Sequence, residues 1–335
     1  MSQDSVAILG AGSWGTALSV HLARIGHDVR LWARDPLLVD QIVQHRGNPR
    51  YLREVEIPRA VRPTASLGDA LSGAAFVILA VPSHGLRGVI RAAGPLIAPG
   101  VTLVSAVKGL ELGSMDRMSE VIAEETGDAF PIVVLSGPSF ASEVARELPA
   151  AVIAASTDHA AAAGVLEQFR GPALRLYASD DVVGVEIGGA LKNVIAIAAG
   201  VVDGLDLGHN AMAALITRGL AEITRLACAE GGRRDTLAGL SGLGDLVLTC
   251  TGQLSRNRRV GVELGRGRQL DDILTDLGMV AEGVRTTAAA LALGAGHNIE
   301  LPIAARMASV LDGRTTPREA ADALMLRPQR RESET

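Results

Sequence analysis

The chain has 335 residues, enough for one large or two ordinary domains that bury roughly three quarters of their unfolded surface. Apolar residues make up 48% and aromatics only 2%, so the core must be assembled from Ala, Val, Leu and Ile. The formal net charge of −5 argues against bulk nucleic-acid binding, though not against a local basic pocket, and two cysteines, Cys228 and Cys250, are too few for a disulfide framework and fit a reducing compartment.

Asp4 directly precedes the first apolar run, so no basic-plus-apolar leader is expected. No apolar stretch of membrane-spanning length is free of charges and glycines, and a cytoplasmic protein is the default. The first half then repeats one unit. Short β-branched runs end in turn residues: VAILGAG, DVRLWAR, AAFVILAVP, VTLVSAVKG, PIVVLSGP and AAVIAAS. Segments with helical spacing, such as Thr16 to Ile25 and Leu86 to Ala93, separate them. Continuous apolar strands alternating with helices predict a parallel sheet covered on both faces, an α/β domain over residues 1–180. After LRLYASDD, which ends at Asp181, the texture becomes Ala- and Leu-rich with glycines as punctuation. Residues 181–335 read as a largely helical second domain with a polar, frayed tail, RPQRRESET.

Gly10, Gly12 and Gly15 form GxGxxG between the first strand and the first helix. The first permits a tight turn, the second lets a pyrophosphate approach the backbone, and the third allows close helix–strand packing. The helix N-terminus offers unpaired N–H groups to phosphate. An ordinary glycine turn is the bland alternative. Arg34 lies just past the second strand, where an acid usually receives the adenosine ribose. An arginine there suits the 2′-phosphate of NADP. It could also be a solvated surface residue, with Asp35 serving an NAD ribose.

Four further motifs carry chemistry. Lys108, in AVKGLE, follows a strand end, where open α/β sheets bind ligands. In LSGPSFASEVA, Gly137 shapes a turn and Ser139 can present a hydroxyl or N–H to an anion, although a plain loop would look the same. Lys192 and Asn193 interrupt the apolar helix EIGGALKNVIAIAAGVVDGL. A lysine there is costly unless it is paired, its pKa falls or it snorkels to the surface, and a lowered pKa suits proton transfer to a carbonyl. Gly188 and Gly189 suggest close packing against that helix. In SGLGDLVLTCTGQLSRNRRVG, Asp245 sits in a glycine-rich turn and Ser255 caps a helix that starts Arg256–Asn257–Arg258–Arg259. Cations in a first turn oppose the macrodipole unless an anion such as phosphate sits there; some of these arginines pair with acids or solvent instead. Cys228, Cys250, His209 and His297 lack zinc-ligand spacing; the cysteines read as core, and His84 as a loop residue.

GAGSWGTALS, AVKGLE, SGPSFA, LKNVIAIAAG, GLGDLVLTCT, SRNRRVG and AEGVRT occur in the order seen in bacterial NAD(P)-dependent glycerol-3-phosphate dehydrogenases, which the chain resembles from Val6 to beyond Pro302. The resemblance implies a Rossmann-like N-terminal domain, an all-α C-terminal domain like that of 6-phosphogluconate dehydrogenase, and an active site in the cleft between them. It implies reversible reduction of dihydroxyacetone phosphate by NADPH or NADH to sn-glycerol 3-phosphate, the backbone precursor of phospholipids, by a homodimer that needs no metal. On matching positions, Lys192 would exchange the proton and Lys108 would contact substrate and cofactor. Gly137, Ser139, Asp245, Ser255, Arg256 and Asn257 would line the substrate. Ser13, Trp14, Arg34, Ala141, Val280 and Glu282, with Arg256, would face NADP(H) or NAD(H). After GNPRYL the chain continues REVEIP where many relatives have a Pro-Gly turn, which leaves Tyr51 to Ile57 open, with Tyr51 and Arg53 as further cofactor-side candidates. Dehydrogenases of 3-hydroxy acids or phosphogluconate and a catalytically silent dinucleotide sensor are the rival readings; SRNRRVG argues against the first, and Lys192 with the phosphate pocket against the second.

Overall fold

The computed structural model describes residues 4–329 and 331, so most of the charged end of the RPQRRESET tail lies outside the described residues. The chain divides into two compact units: one runs up to Val107 and again over Met118–Val182, the other takes Lys108–Arg117 and the chain from Val183 onward.

The first unit opens with β1 (Ser5–Leu9), α1 (Ser13–Arg24), β2 (Asp28–Trp32) and α2 (Pro36–His45). A short hairpin, β3 (Gly47–Asn48) and β4 (Leu52–Glu56), leads to β5 (Val61–Thr64) and α3 (Leu67–Leu71). Next come β6 (Phe76–Leu79), α4 (Ser83–Ala93), β7 (Thr102–Ser105), α5 (Met118–Thr126) and β8 (Ile132–Ser136). The unit closes with α6 (Ala141–Ala145), β9 (Ala150–Ala155), α7 (His159–Phe169) and β10 (Leu174–Ser179). Val6 and Ile8 of β1 enter one apolar core, Ala7 and Leu9 the other. That period of two, with both faces apolar, is why these runs form a doubly covered sheet. Each fully buried Leu or Ile contributes about 1.5–3 kcal/mol.

Eight strands pair in the order β10-β9-β8-β7-β6-β1-β2-β5. From β1 the chain moves outward to β2 and β5, then returns to place β6 on the other side. The end of β1 is therefore the topological switch point, where such sheets bind ligands. The sheet is not wholly parallel as expected, because β8 and β9 run antiparallel. Two buried apolar runs look alike in either direction, so the sequence carries no sign of the reversal. The β3–β4 hairpin and edge strand β5 were not foreseen either. Each has few apolar residues in regular alternation, and Tyr51 to Ile57 turns out to build β4.

The second unit holds α8 (Val182–Gly204), α9 (Gly208–Ala229), α10 (Arg234–Ala238) and α11 (Asp245–Thr251). There follow α12 (Arg256–Gly265), α13 (Leu270–Leu277), α14 (Glu282–Gly296), α15 (Pro302–Leu311) and α16 (Pro317–Met325). Local chemistry sets several starts. The Ser255 hydroxyl accepts the Arg258 N–H, Thr316 and Glu319 form a capping box, and Glu222 on α9 accepts the Ile303 and Ala304 N–H groups of α15, both at 2.9 Å. Among the described residues, α8 alone is long and apolar enough to cross a membrane, yet 89% of its apolar window is buried in the protein, as in a core helix.

Glycines let α8 and α12 touch backbone to backbone. A Cβ on Gly200 would lie 2.0 Å from the Arg258 carbonyl oxygen, and one on Gly261 would lie 1.9 Å from that of Ile197. Gly204 and Gly265 repeat the contact one turn on. Gly261→Ala should therefore destabilise the protein by about 1–3 kcal/mol, read as a lower Tm by calorimetry. Gly164→Ala on α7, where a Cβ meets nothing within 4 Å, should hold or raise Tm. Equal losses from both would contradict the close-contact account.

Candidate active site

Lys192 sits mid-helix on α8 and is 7% exposed. Asp245, 1% exposed, begins α11 and is presented by a π-helical turn, Leu240–Gly244. Glycine makes that turn possible: a Cβ on Gly242 would lie 2.1 Å from the Leu237 carbonyl oxygen. The turn also packs on Gly188, whose Cβ would lie 3.0 Å from the Ser241 carbonyl oxygen, as the glycines of α8 suggested. Lys192 Nζ donates to Asp245 Oδ1 at 2.6 Å and to Thr249 Oγ1 at 2.7 Å. Thr249 in turn donates to the Asp245 backbone oxygen at 2.6 Å, which aims its lone pair at the ammonium. Lys108 Nζ donates to the second carboxylate oxygen, Oδ2, at 2.7 Å. One carboxylate thus holds two ammonium groups.

The electrostatics follow from burial and that sharing. Burial pushes the Lys192 ammonium down to about 8, with Lys108 adding to the fall and Asp245 opposing it. Burial alone would raise the Asp245 carboxyl, but Lys108 and Lys192 outweigh it and hold it below its ordinary value. Burial pushes the neighbouring Cys250 thiol up to about 12, so it stays a neutral core group. Lys108 and Lys192 are also the only lysines in the chain; every other basic side chain, histidine aside, is arginine. Counting lysines separately would have marked the site, since lysine rather than arginine can shift its pKa into the working range. Thr249 was missed because a threonine inside an apolar helix looks like packing.

The first turn of α12 lies beside the same helix. Asn257 donates from Nδ2 to Asn193 Oδ1 at 2.9 Å and accepts the Gly283 N–H at 3.0 Å. One N–H of its carboxamide is left over, and α12 can offer an anion that group, its first-turn N–H groups and Arg256. Arg258 is drawn away to Asp203 at 2.8 Å, consistent with some arginines of this run pairing with acids. A Cβ on Gly283 would lie 2.5 Å from the Asn193 carbonyl oxygen. That contact seats the start of α14, and with it Glu282 and half-buried Val280, against α8.

The first unit carries the remaining candidates. Gly10 has φ +120°, and a Cβ there would lie 2.6 Å from the Ala80 carbonyl oxygen. A Cβ on Gly15 would lie 1.9 Å from the Gly10 carbonyl oxygen, whereas one on Gly12 meets nothing within 4 Å. The first and third glycines are thus required by packing, and the second leaves open space at a helix start with no side-chain cap and no acid in its first turn. This cradle fits a dinucleotide pyrophosphate. Ser13 donates to the Tyr51 backbone oxygen at 2.8 Å, and buried Asn48, which sequence reasoning missed, donates to the Ala11 oxygen at 2.9 Å. Trp14 packs at the edge of the apolar core. Arg34 is exposed. Asp35 caps α2 by accepting the Leu37 N–H at 3.0 Å and pairs with Arg50 at 3.5 Å, and a shallow pocket there includes Gln41, Arg50 and Arg53. Gly137 has φ +129° with a would-be Cβ 3.1 Å from Val152 Cα, Ser139 donates to the Gly137 oxygen at 3.0 Å, and Ala141 opens α6.

The sequence profile of the NAD-dependent glycerol-3-phosphate dehydrogenase N-terminus matches residues 5–162, and that of the C-terminus matches 181–322. The chain belongs to the NAD-dependent glycerol-3-phosphate dehydrogenase family. It is 53% identical over 327 residues to glycerol-3-phosphate dehydrogenase [NAD(P)+] of Koribacter versatilis, covering 96% of this chain and 97% of that one. The enzyme of the same name from Thioalkalivibrio sulfidiphilus is 50% identical, with coverage of 99% and 100%. The crystal structure of glycerol-3-phosphate dehydrogenase from Coxiella burnetii superposes with a TM-score of 0.94 at 42% identity, covering 97% of this chain and 99% of that one.

Membership makes the chain an oxidoreductase using NAD or NADP, with a Rossmann-like first part and a helical second part. Two peripheral expectations differ in detail. Cys250 is core but Cys228 is exposed, because α9 turns position 228 outward. His84 lies inside α4 rather than in a loop. The electrostatics of the lysine pair generate a test. Asp245→Asn removes the group that raises the Lys192 pKa and keeps Lys108, so that pKa should fall below about 8. In the kcat/KM–pH profile of ketone reduction, the alkaline limb should move to lower pH. An unmoved limb would separate Lys192 from Asp245.

Proposed function

We propose that this dehydrogenase reversibly reduces dihydroxyacetone phosphate to sn-glycerol 3-phosphate in the cytoplasm, supplying phospholipid synthesis, with Lys192 as proton donor. The observation that carries the chemistry is the Asp245 carboxylate shared by buried Lys192 and half-buried Lys108. Bound NADPH or NADH supplies the hydride to the carbonyl carbon. Lys192 Nζ gives a proton to the carbonyl oxygen and takes it back in the oxidative direction. Lys108 stabilises the negative charge developing on that oxygen. Asp245 and Thr249 hold the Lys192 amine in both protonation states, which fixes the direction of its proton or lone pair.

Arg256 and the α12 N–H groups of its first turn suit the substrate phosphate, with Ser255, Asn257, Gly137 and Ser139 completing the substrate set. Gly10, Gly12, Ser13, Trp14 and Gly15 suit the pyrophosphate end of the cofactor, and Ala141, Val280 and Glu282 its remainder, with Lys108 and Arg256 reaching both ligands. In this reading residues 1–180 serve mainly the dinucleotide and 181–335 the substrate. The homodimer rests on family resemblance.

The Asp35 carboxylate is already used by Leu37 and Arg50, which favours Arg34 as a partner for a 2′-phosphate. One charge-assisted hydrogen bond there is worth about 1.5–3 kcal/mol, roughly ten- to a hundredfold in affinity. Arg34→Ala should raise the KM for NADPH by about tenfold or more while leaving that for NADH nearly unchanged; equal effects would contradict the assignment. Lys192→Ala should abolish consumption of reduced nicotinamide with dihydroxyacetone phosphate, followed by absorbance, while NADPH still binds with its ordinary Kd. An active Lys192→Ala variant would remove the proton donor from the scheme.

A further inference from the structure

Lys108 reaches Asp245 from an unusual piece of chain. Residues Lys108–Arg117 lie in sequence between β7 and α5 of the first unit, yet they belong to the helical unit. The segment is a small hairpin. Leu110 and Arg117 form an antiparallel bridge, the Glu111 N–H donates to the Asp116 oxygen at 2.9 Å, and the tip turns through Gly113 and Met115, both with positive φ. Two anchors fix it. Leu110, 3% exposed, enters the apolar core of the helical unit. Arg117 Nη1 donates to Glu186 Oε2 at 3.0 Å, with the Glu186 side chain 2% and the Arg117 side chain 15% exposed.

Glu186 and Lys192 are six positions apart on α8, about 9 Å along its axis. One helix therefore fixes both ends of the geometry: Glu186 seats the returning strand of the hairpin, and Lys192 shares Asp245 with the lysine at its start. A buried carboxylate needs a partner, and the bridge makes Arg117 and Leu110 move together. We propose that Arg117 and Glu186 are positioning residues that hold the 108–117 hairpin so that Lys108 stays on Asp245 Oδ2. The proposal rests on the assignment of Lys108 to the reaction under Proposed function. It adds that the pair acts through Lys108, without touching substrate.

The test is a double-mutant cycle on the full-length enzyme. Steady-state kinetics are measured with NADPH and dihydroxyacetone phosphate for Glu186→Gln, Arg117→Lys, Lys108→Ala and Lys108→Ala/Glu186→Gln. Glu186→Gln should lower kcat at least tenfold with the NADPH KM within about twofold, and Arg117→Lys should keep most of the activity. In the Lys108→Ala background, Glu186→Gln should cost less than twofold more. Loss of the same factor in both backgrounds would overturn the proposal, because a general packing defect adds independently. If Glu186→Gln fails to fold, the doubly neutral Arg117→Met/Glu186→Gln, which removes both charges of the pair together, goes through the same cycle with the same two outcomes. A Lys108→Ala enzyme as active as the parent would instead refute the role of Lys108, and is read separately from the cycle.

Discussion

The carboxylate of Asp245 between two ammonium groups is the interaction on which the site depends. The buried charges of Lys192 and Asp245 would each be costly alone where they sit. Together with Lys108 they make a stable arrangement with a surplus positive charge, which a phosphorylated ketone and a developing alkoxide can complement. Burial, with Lys108 adding to it against Asp245, lowers the Lys192 proton affinity toward neutrality. Arginine in place of Lys192 could pair with the carboxylate but could not release a proton in the working range.

The scaffold around this group is built from close backbone contacts. Gly188 admits the π-helical turn that presents Asp245, Gly200 and Gly261 bring α12 onto α8, and Gly283 seats α14 on the Asn193 carbonyl. A helix as apolar as α8 can carry Lys192 and Asn193 inside because its other positions bury Val, Ile and Ala. The apolar burial stabilises the helix, and the polar pair is then satisfied by Asp245, Thr249 and Asn257. Stability and chemistry thus draw on the same helix at adjacent positions.

Much of this was legible in the sequence, for physical reasons. The β1 and β6 runs are apolar on both faces, so a covered sheet is their favourable arrangement. Gly10 and Gly15 occupy positions that no side chain could fill. Lys192 stands out because a charge among Gly, Ala and Ile demands an explanation. Other features have no local signature. The reversal at β9 and the inclusion of residues 108–117 in the helical unit depend on contacts distant in sequence, and the hairpin of β3 and β4 has too few alternating apolar residues to stand out. Asn48 and Thr249 act through hydrogen bonds to neighbours that only folding brings close. The bonds of the Asn257 carboxamide to Asn193 and Gly283, which tie α12 and α14 to α8, could not be read from spacing either.

The central claim is that Lys192 is a buried ammonium with a proton it can give up near pH 8. Its direct measurement is a pH titration of the cofactor-free protein labelled with 13Cε-lysine, followed by NMR. With only two lysines, the spectrum holds two side-chain signals, and Lys192→Met assigns one of them by its disappearance. This signal should titrate with a midpoint near 8. A midpoint above 10, the ordinary lysine range, would contradict it and leave Lys192 a permanent cation rather than a proton donor and acceptor.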